Sequence, residues 1–346
     1  MSNYFFDKKQ TMRIKPVWIY ICLTTYVFSG CQGQSLGFRE DTNIVALNRF
    51  DEALLQWIES DNPQLIIQLK EFYPQMLDLL GKSLFQSDTM EIAEYYDKLI
   101  NYYSEPTLLA LYKDAVRYYA DDSTRTIHIA KKLSDGFKQI KKLFPSMQIP
   151  AVYMHVSGLQ QNMIVADSLL SCSIDKYMGM DYPLYADCFY DYQRRSMVPE
   201  RIAIDGLNVW LQSEYPYHGR DNVLLERMVY EGKIIYTLMQ LGVDFSYENI
   251  MSLTKDEYRW LRDYESALWT TIIERQHLYT PDISTTLRYF QPSPSTFITD
   301  QAPGNLGCYI GYRIIECYMK RTKSTCAELM KNNDAQDILK KAKYKP

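Results

Sequence analysis

The sequence predicts an α+β fold that is predominantly α, in which a small antiparallel sheet packs on helices and follows an N-terminal helical region. Three observations lead to this prediction. Apolar residues recur three and four apart through most of the chain, which is typical of amphipathic helices. Short apolar and β-branched runs occur near the middle, between residues 151 and 174. The chain has 346 residues, of which 47% are hydrophobic, so it can bury a sizeable core.

The first 30 residues have the organisation of a secretory signal peptide. Two basic residues precede an apolar run over residues 17–28, whose length suits a signal peptide and is too short for a membrane span. Ser29 and Gly30 follow, and small residues directly before Cys31 resemble a bacterial lipobox. An ordinary signal peptide, with a cysteine at that place by chance, is the alternative interpretation.

These features predict where the protein works. We predict a signal peptide over residues 1–30, a lipid on Cys31, and a lipidated N-terminus with a flexible tether over residues 31–43. Each buried methylene of an acyl chain contributes about 0.8 kcal/mol, so several chains anchor a protein without a transmembrane helix. We therefore expect a bacterial cell-envelope protein that is lipid-anchored to a membrane and faces the periplasm.

The charge of the chain excludes one class of partner. The formal net charge is −4, and the first 30 residues contribute four basic residues and one acidic residue. Without them, 34 basic and 41 acidic residues leave a net charge of −7. Because nucleic-acid binding needs a basic face, we predict no nucleic-acid partner.

Helical periodicity fills residues 44–144, which we predict to be an N-terminal helical region. Asn62-Pro63 and Ser104-Glu105-Pro106 mark turns between its helices. Tyrosines recur here at spacings of seven, which we interpret as aromatic packing between helices; a ligand groove lined by rings is the alternative. These tyrosines are Tyr95, Tyr96, Tyr102, Tyr103, Tyr112, Tyr118 and Tyr119.

Residues 145–346 are predicted to form an α+β domain, which can also pack as one unit with the helical region. Residues 151–157, 163–167 and 169–174 have the pattern of strands. Residues 181–192 have no regular period, so we predict a loop. Thr254 with Glu257 is the capping box of a further helix. Gly307 and Gly311, four apart, leave one strip of a C-terminal helix bare for close packing.

Carboxylates lie among apolar residues of two predicted helices, in RRSMVPERIAIDGLNVWL and NVLLERMVYEGKIIYTLM. Glu200 and Asp205 belong to the first helix, and Glu231 shares an apolar stripe of the second. Unpaired buried carboxylates are costly, so each needs a partner. An arginine or a backbone partner is one interpretation, and a relic of a metal-binding site is the other. The nearby arginines are Arg194, Arg195, Arg201 and Arg227.

Several motifs carry a family resemblance. In chain order they are DKYMGMDYPLYADCF, PERIAIDGLNVWL, LLERMVYEGKIIY, PGNLGCYIGYRIIECYM and the terminal DAQDILKKAKYKP. Together they resemble the gliding-motility lipoprotein GldB family, over most of the chain after the lipid-attachment region. The resemblance implies a component of a gliding motility or protein secretion machinery, with other envelope proteins as partners.

That family in turn resembles HExxH metallopeptidases, which implies a zincin-like core. On this alignment PERIA takes the place of HExxH, and Glu231-Gly232 that of a downstream Glu-Gly that supplies a third metal ligand. HExxH binds zinc through two histidines at i and i+4 on one helix face. Pro199 and Ala203 stand at those positions and cannot coordinate a metal, so the resemblance implies no metal, no cofactor and no catalytic residue. Glu200, Asp205, Glu231 and Gly232 are the candidates for a vestigial site or cleft.

The sequence leaves three functions open. The one we favour is a non-catalytic, lipid-anchored envelope protein that holds partners of a motility or secretion machinery. The second is a module that binds a peptide or cell-wall fragment in the vestigial cleft, with residues 181–192, Glu200 and Glu231 as contacts. The third is a hydrolase in which Glu200 and either Glu231 or Asp205 act as acid and base, which requires carboxyl groups about 5–9 Å apart in an open cleft.

Overall fold

The computed structural model describes residues 45–60, 62–85, 92–242, 245–292, 294 and 302–346. The predicted signal peptide, Cys31 and the tether lie outside these residues. Residues 42–346 form one compact unit. Buried side chains from both predicted regions, before and after residue 144, belong to one hydrophobic core. The chain is mostly helical, as predicted.

Helices lie on both sides of residues 151–173 in the sequence, the segment that holds three of the four strands of a small sheet. Those before it are α1 (Phe50–Ile58), α2 (Pro63–Phe72), α3 (Pro74–Phe85), α4 (Ile92–Tyr103), α5 (Pro106–Ala120) and α6 (Ser123–Leu143). Those after it are α7 (Pro183–Cys188), α8 (Asp191–Arg194), α9 (Arg201–Glu214), α10 (Leu224–Met239), α11 (Tyr247–Met251), α12 (Lys255–Asp263), α13 (Glu265–Glu274), α14 (Ile283–Arg288), α15 (Leu306–Thr322), α16 (Cys326–Lys331) and α17 (Ala335–Ala342). Short 3₁₀ helices cover Ile174–Lys176 and His277–Tyr279.

The sheet is mixed, so the prediction of an antiparallel sheet is wrong. Its strands are β1 (Leu47–Asn48), β2 (Ala151–His155), β3 (Met163–Ala166) and β4 (Leu169–Ser173), in the order β1-β2-β4-β3. β3 and β4 form an antiparallel hairpin. β4 also pairs with β2, and these two strands run parallel. β1 lies inside the predicted helical region and pairs in parallel with β2. Alternation of apolar residues predicts a strand, but it does not predict which other strand it pairs with or in which direction.

Capping residues set the helix starts that the sequence predicts. Asn62 accepts a hydrogen bond from the backbone N–H of Gln64 at the start of α2 (3.0 Å). Thr254 and Glu257 form the expected capping box on α12, with each side chain accepting from the backbone N–H of the other residue. The prediction of a loop over residues 181–192 is wrong, because this segment contains α7 and the start of α8.

Tyrosines of α4 and α5 tie the helical layer to the turns around the sheet. Tyr103, Tyr112 and Tyr119 are each at most 1% exposed. The hydroxyl of Tyr103 donates to the carbonyl oxygen of Val156, just after β2 (2.5 Å), and that of Tyr119 donates to the carbonyl oxygen of Tyr177 (2.7 Å). The rings of Tyr103 and Tyr112 meet edge to face at 4.9 Å. The prediction of aromatic packing is confirmed for these residues.

Helices α10 and α15 cross with their backbones in contact. A Cβ atom built on Gly311 would lie 1.9 Å from the carbonyl oxygen of Met228, and one built on Gly232 would lie 2.3 Å from the carbonyl group of Gly311. No side chain fits at such separations, so both glycines are required for the crossing. The predicted close packing of α15 is therefore confirmed at Gly311, and its neighbour is α10. Among the described residues no helix is both long and apolar enough to cross a bilayer.

Candidate functional site

Glu231 forms an ion pair with Arg227, one turn earlier on α10. Arg227 Nε lies 2.9 Å from Glu231 Oε1, and the Glu231 side chain is 19% exposed. Burial raises the pKa of Glu231 above its ordinary value, and the charge of Arg227 opposes that shift. The Arg227 guanidinium also lies 5.5 Å from the ring centres of both Tyr217 and Phe290. This geometry agrees with the arginine interpretation of the buried carboxylate.

Asp205 pairs in the same way with Arg201, one turn earlier on α9. One carboxylate oxygen of Asp205 accepts from the Arg201 guanidinium, and the other accepts from the Tyr177 hydroxyl (2.9 Å). Arg201 also donates to the carbonyl oxygen of Ile250 at the end of α11 (2.9 Å). The two side chains are only 13% and 16% exposed. Asp205 therefore takes part in a structural network that joins α9 to its neighbours.

Glu200 is exposed, so the prediction that it points into packed surface is wrong. Helix α9 begins at Arg201, which makes Glu200 the N-cap residue and removes it from the apolar stripe of the helix. Pro199 lies in the turn before the helix, whereas Ala203 lies inside it and is 1% exposed. The two positions expected to share a helix face are therefore split between a turn and a helix.

The structure does not bring the three candidate carboxylates into one cluster. Asp205 is bonded to groups on α9 and at Tyr177, and Glu231 to a group on α10. No hydrogen bond or ion pair links Glu200, Asp205 and Glu231 to one another in the described part of the chain. Nor do the described residues contain any group of three or more His, Cys, Asp or Glu side chains that could hold a metal ion. Gly232, the fourth candidate, lies at the helix crossing described above.

Comparison with known proteins decides the family. A family model described as "Gliding motility protein GldB" matches residues 39–346, which is most of the chain. The chain belongs to the GldB family. No curated protein and no solved structure gives a match. The resemblance of the ordered motifs is thus confirmed, while the resemblance to zincins stays a prediction.

This GldB family chain also contains a buried polar cluster at the end of its sheet. His155, Ser171 and Asp175 are fully buried, and His155 Nδ1 lies 2.7 Å from Ser171 Oγ. Burial lowers the pKa of His155 to about 3, so its imidazole is neutral at physiological pH. Asp175 accepts from the backbone N–H groups of Ser157 (3.1 Å) and Leu159 (2.6 Å). The Asp175 carboxylate therefore fixes the loop after β2.

Sequence reasoning missed the aromatic partners of the two ion pairs in this GldB family chain. Tyr177, Tyr217 and Phe290 each contact a member of these pairs, yet they belong to other segments of the chain. The i,i+4 spacing of Arg227 and Glu231 is a local signal that the sequence displays. No local pattern marks a ring brought in by folding from a distant segment.

Proposed function

We propose that this GldB family chain is a lipid-anchored, non-catalytic component of a gliding motility or protein secretion machinery. It is held at a bacterial membrane by lipid on Cys31, faces the periplasm, and holds other envelope proteins there. In this proposal a degenerate, zincin-like core is used without peptidase chemistry. Membership of a gliding motility family supports the cellular role.

The pairing of Asp205 and Glu231 with arginines is the observation that carries the non-catalytic part of the proposal. A general base needs a free lone pair that reaches a substrate proton in an open cleft. Asp205 and Glu231 instead each face a guanidinium group on their own helix. Pro199 and Ala203 offer no metal-ligating atom. These contacts favour a structural role for the carboxylates over acid–base chemistry.

The double substitution Glu200→Gln with Glu231→Gln tests the absence of chemistry. Because neither carboxylate takes part in a reaction in this proposal, gliding and partner capture by cross-linking are expected to remain at the level of the unmodified protein. The surface double substitution Glu52→Gln with Glu59→Gln is the control for the same change in net charge. Loss of gliding by the first variant alone, with an unchanged amount of folded protein, would support the carboxylate hydrolase instead.

Substitution of Cys31 tests the anchor. Cys31→Ser is expected to abolish incorporation of a labelled fatty acid and to move the protein from the membrane fraction to the soluble fraction, because no acyl chain remains to partition into the bilayer. Cys188→Ser, which changes an exposed cysteine of α7, is the control and should leave both measurements unchanged. Fatty-acid labelling that persists after Cys31→Ser would show that the anchor lies elsewhere.

A further inference from the structure

An open groove of about 420 Å³ lies between α10 and α15, on the side of their crossing toward the C-terminal ends of both helices. It begins beyond the glycine crossing, where the two helix backbones touch, and residues that follow each glycine line its walls. Its lining residues include Tyr236, Met239, Tyr312, Met319, Lys320 and Lys323.

The accessible apolar surface of the groove comes mainly from α10. Met239 and the ring of Tyr236 are partly exposed there, whereas Met319 and Tyr312 of α15 line the groove at 8% and 7% exposure. Methionine side chains are flexible and polarisable, and they are frequent on surfaces that accept apolar groups of a partner. A groove of this volume falls in the range that accommodates a bound group of a few side chains.

Uncompensated positive charge lies at one end of the groove. Lys320 and Lys323 are exposed, and neither forms an ion pair with any described residue. The carboxylate that lines the same groove, Glu316, is already paired with Arg313 and accepts from the Tyr312 hydroxyl (3.2 Å). The groove therefore presents two free ammonium groups on a chain whose formal net charge is −4.

We propose that this groove binds an acidic peptide segment of another envelope protein. An apolar side chain of the segment lies against Met239 and Tyr236, and its carboxylates pair with Lys320 and Lys323. This inference rests on the proposed function, which requires protein partners but does not say where they bind. Opposite charges attract such a segment to this end of an otherwise acidic molecule and set its orientation.

A peptide fits these observations better than an anionic lipid does. A headgroup would use the two ammonium groups but would leave the methionine and tyrosine surface without a partner. A peptide with both apolar and acidic side chains uses both features. Two neighbouring helices that bound such a groove are also a common receptor for a short peptide segment.

The test is a selection of displayed random short peptides on the full-length protein, held in nanodiscs of zwitterionic lipid. Selected peptides are expected to combine Asp or Glu with a large apolar residue. Their affinity for the variant Lys320→Glu with Lys323→Glu should fall by about tenfold or more, and it should fall with added salt. The control, Lys142→Glu with Lys255→Glu, makes the same charge change at exposed lysines outside the groove and should bind like the unmodified protein.

A variant that binds the peptides more tightly would show that the loss of binding in the Lys320→Glu, Lys323→Glu variant is not caused by misfolding. Gln240 is exposed and lines the groove, so Gln240→Lys adds a third cation and should tighten binding of the acidic peptides. The inference is wrong if no peptide is selected, if the selected peptides lack acidic residues, or if they bind the Lys320→Glu, Lys323→Glu variant unchanged. It is also wrong if vesicles of phosphatidylglycerol bind the groove and peptides do not. If the Lys320→Glu, Lys323→Glu variant still captures partners in cells, the groove is not the binding site and the proposed function is unaffected. If the unmodified protein captures no partner, the proposed function itself is wrong.

Discussion

Gly311→Ala is expected to lower the free energy of unfolding by about 3 kcal/mol or more, as measured by chemical denaturation. The new Cβ would lie 1.9 Å from the carbonyl oxygen of Met228, so α10 and α15 must separate along their length. The atom in the way belongs to helix backbone, which cannot rotate aside as a flexible side chain can. Separation of these helices removes packing contacts well beyond the substituted residue.

Helix propensity alone gives the opposite sign for the same substitution. Alanine is favoured over glycine inside a helix by about 1 kcal/mol, so a stabilised Gly311→Ala variant would show that α10 and α15 do not touch. Gly242→Ala, in the segment after α10, is the control for an added methyl group that has room, because a Cβ there would lie 3.4 Å from the Phe245 ring, an ordinary contact distance. Its effect is expected to stay within about 1 kcal/mol.

Most helices of this chain are predictable from the sequence because their apolar spacing and caps are local properties. The capping box at Thr254 and the bare strip at Gly311 are of this kind, and both appear in the structure. Strand partners are not local, since β2 and β4 carry similar patterns whether they run parallel or antiparallel. The parallel pairing arises from the way the β3–β4 hairpin packs on β2, which no short stretch of sequence specifies.

The same distinction between local and long-range signals applies to the candidate site. The arginine partners of Asp205 and Glu231 lie four residues earlier on the same helix, so the sequence displays both pairs. The sequence predicts the wrong surroundings for Glu200, because α9 begins at Arg201 and the apolar face of the helix does not extend to the residue before it. The groove between α10 and α15 could not be predicted, because residues of the two helices come to line one groove only through the glycine crossing.

Arg227→Met is expected to lower the free energy of unfolding by about 2 kcal/mol at pH 7. Methionine keeps apolar contact with the rings of Tyr217 and Phe290 but leaves the Glu231 carboxylate without its charged partner. Removal of one member of a fully buried pair costs about 3–5 kcal/mol. Because the Glu231 side chain is 19% exposed, water offsets part of that cost, which gives the lower figure.

The pH dependence identifies an unpaired carboxylate as the cause of that loss. Burial already raises the pKa of Glu231, and removal of Arg227 takes away the charge that opposes the rise. The folded Arg227→Met variant therefore binds a proton more readily than its unfolded chain, so its loss relative to the unmodified protein should shrink as pH falls from 7 to 5. Adding Glu231→Gln should restore most of the stability at pH 7, whereas Arg259→Met, which breaks an exposed pair with Asp256, should cost at most about 0.5 kcal/mol. An equal loss at both pH values, with no recovery in the double variant, would mean that Arg227 stabilises the fold through its aromatic contacts and that Glu231 is free to interact with another group.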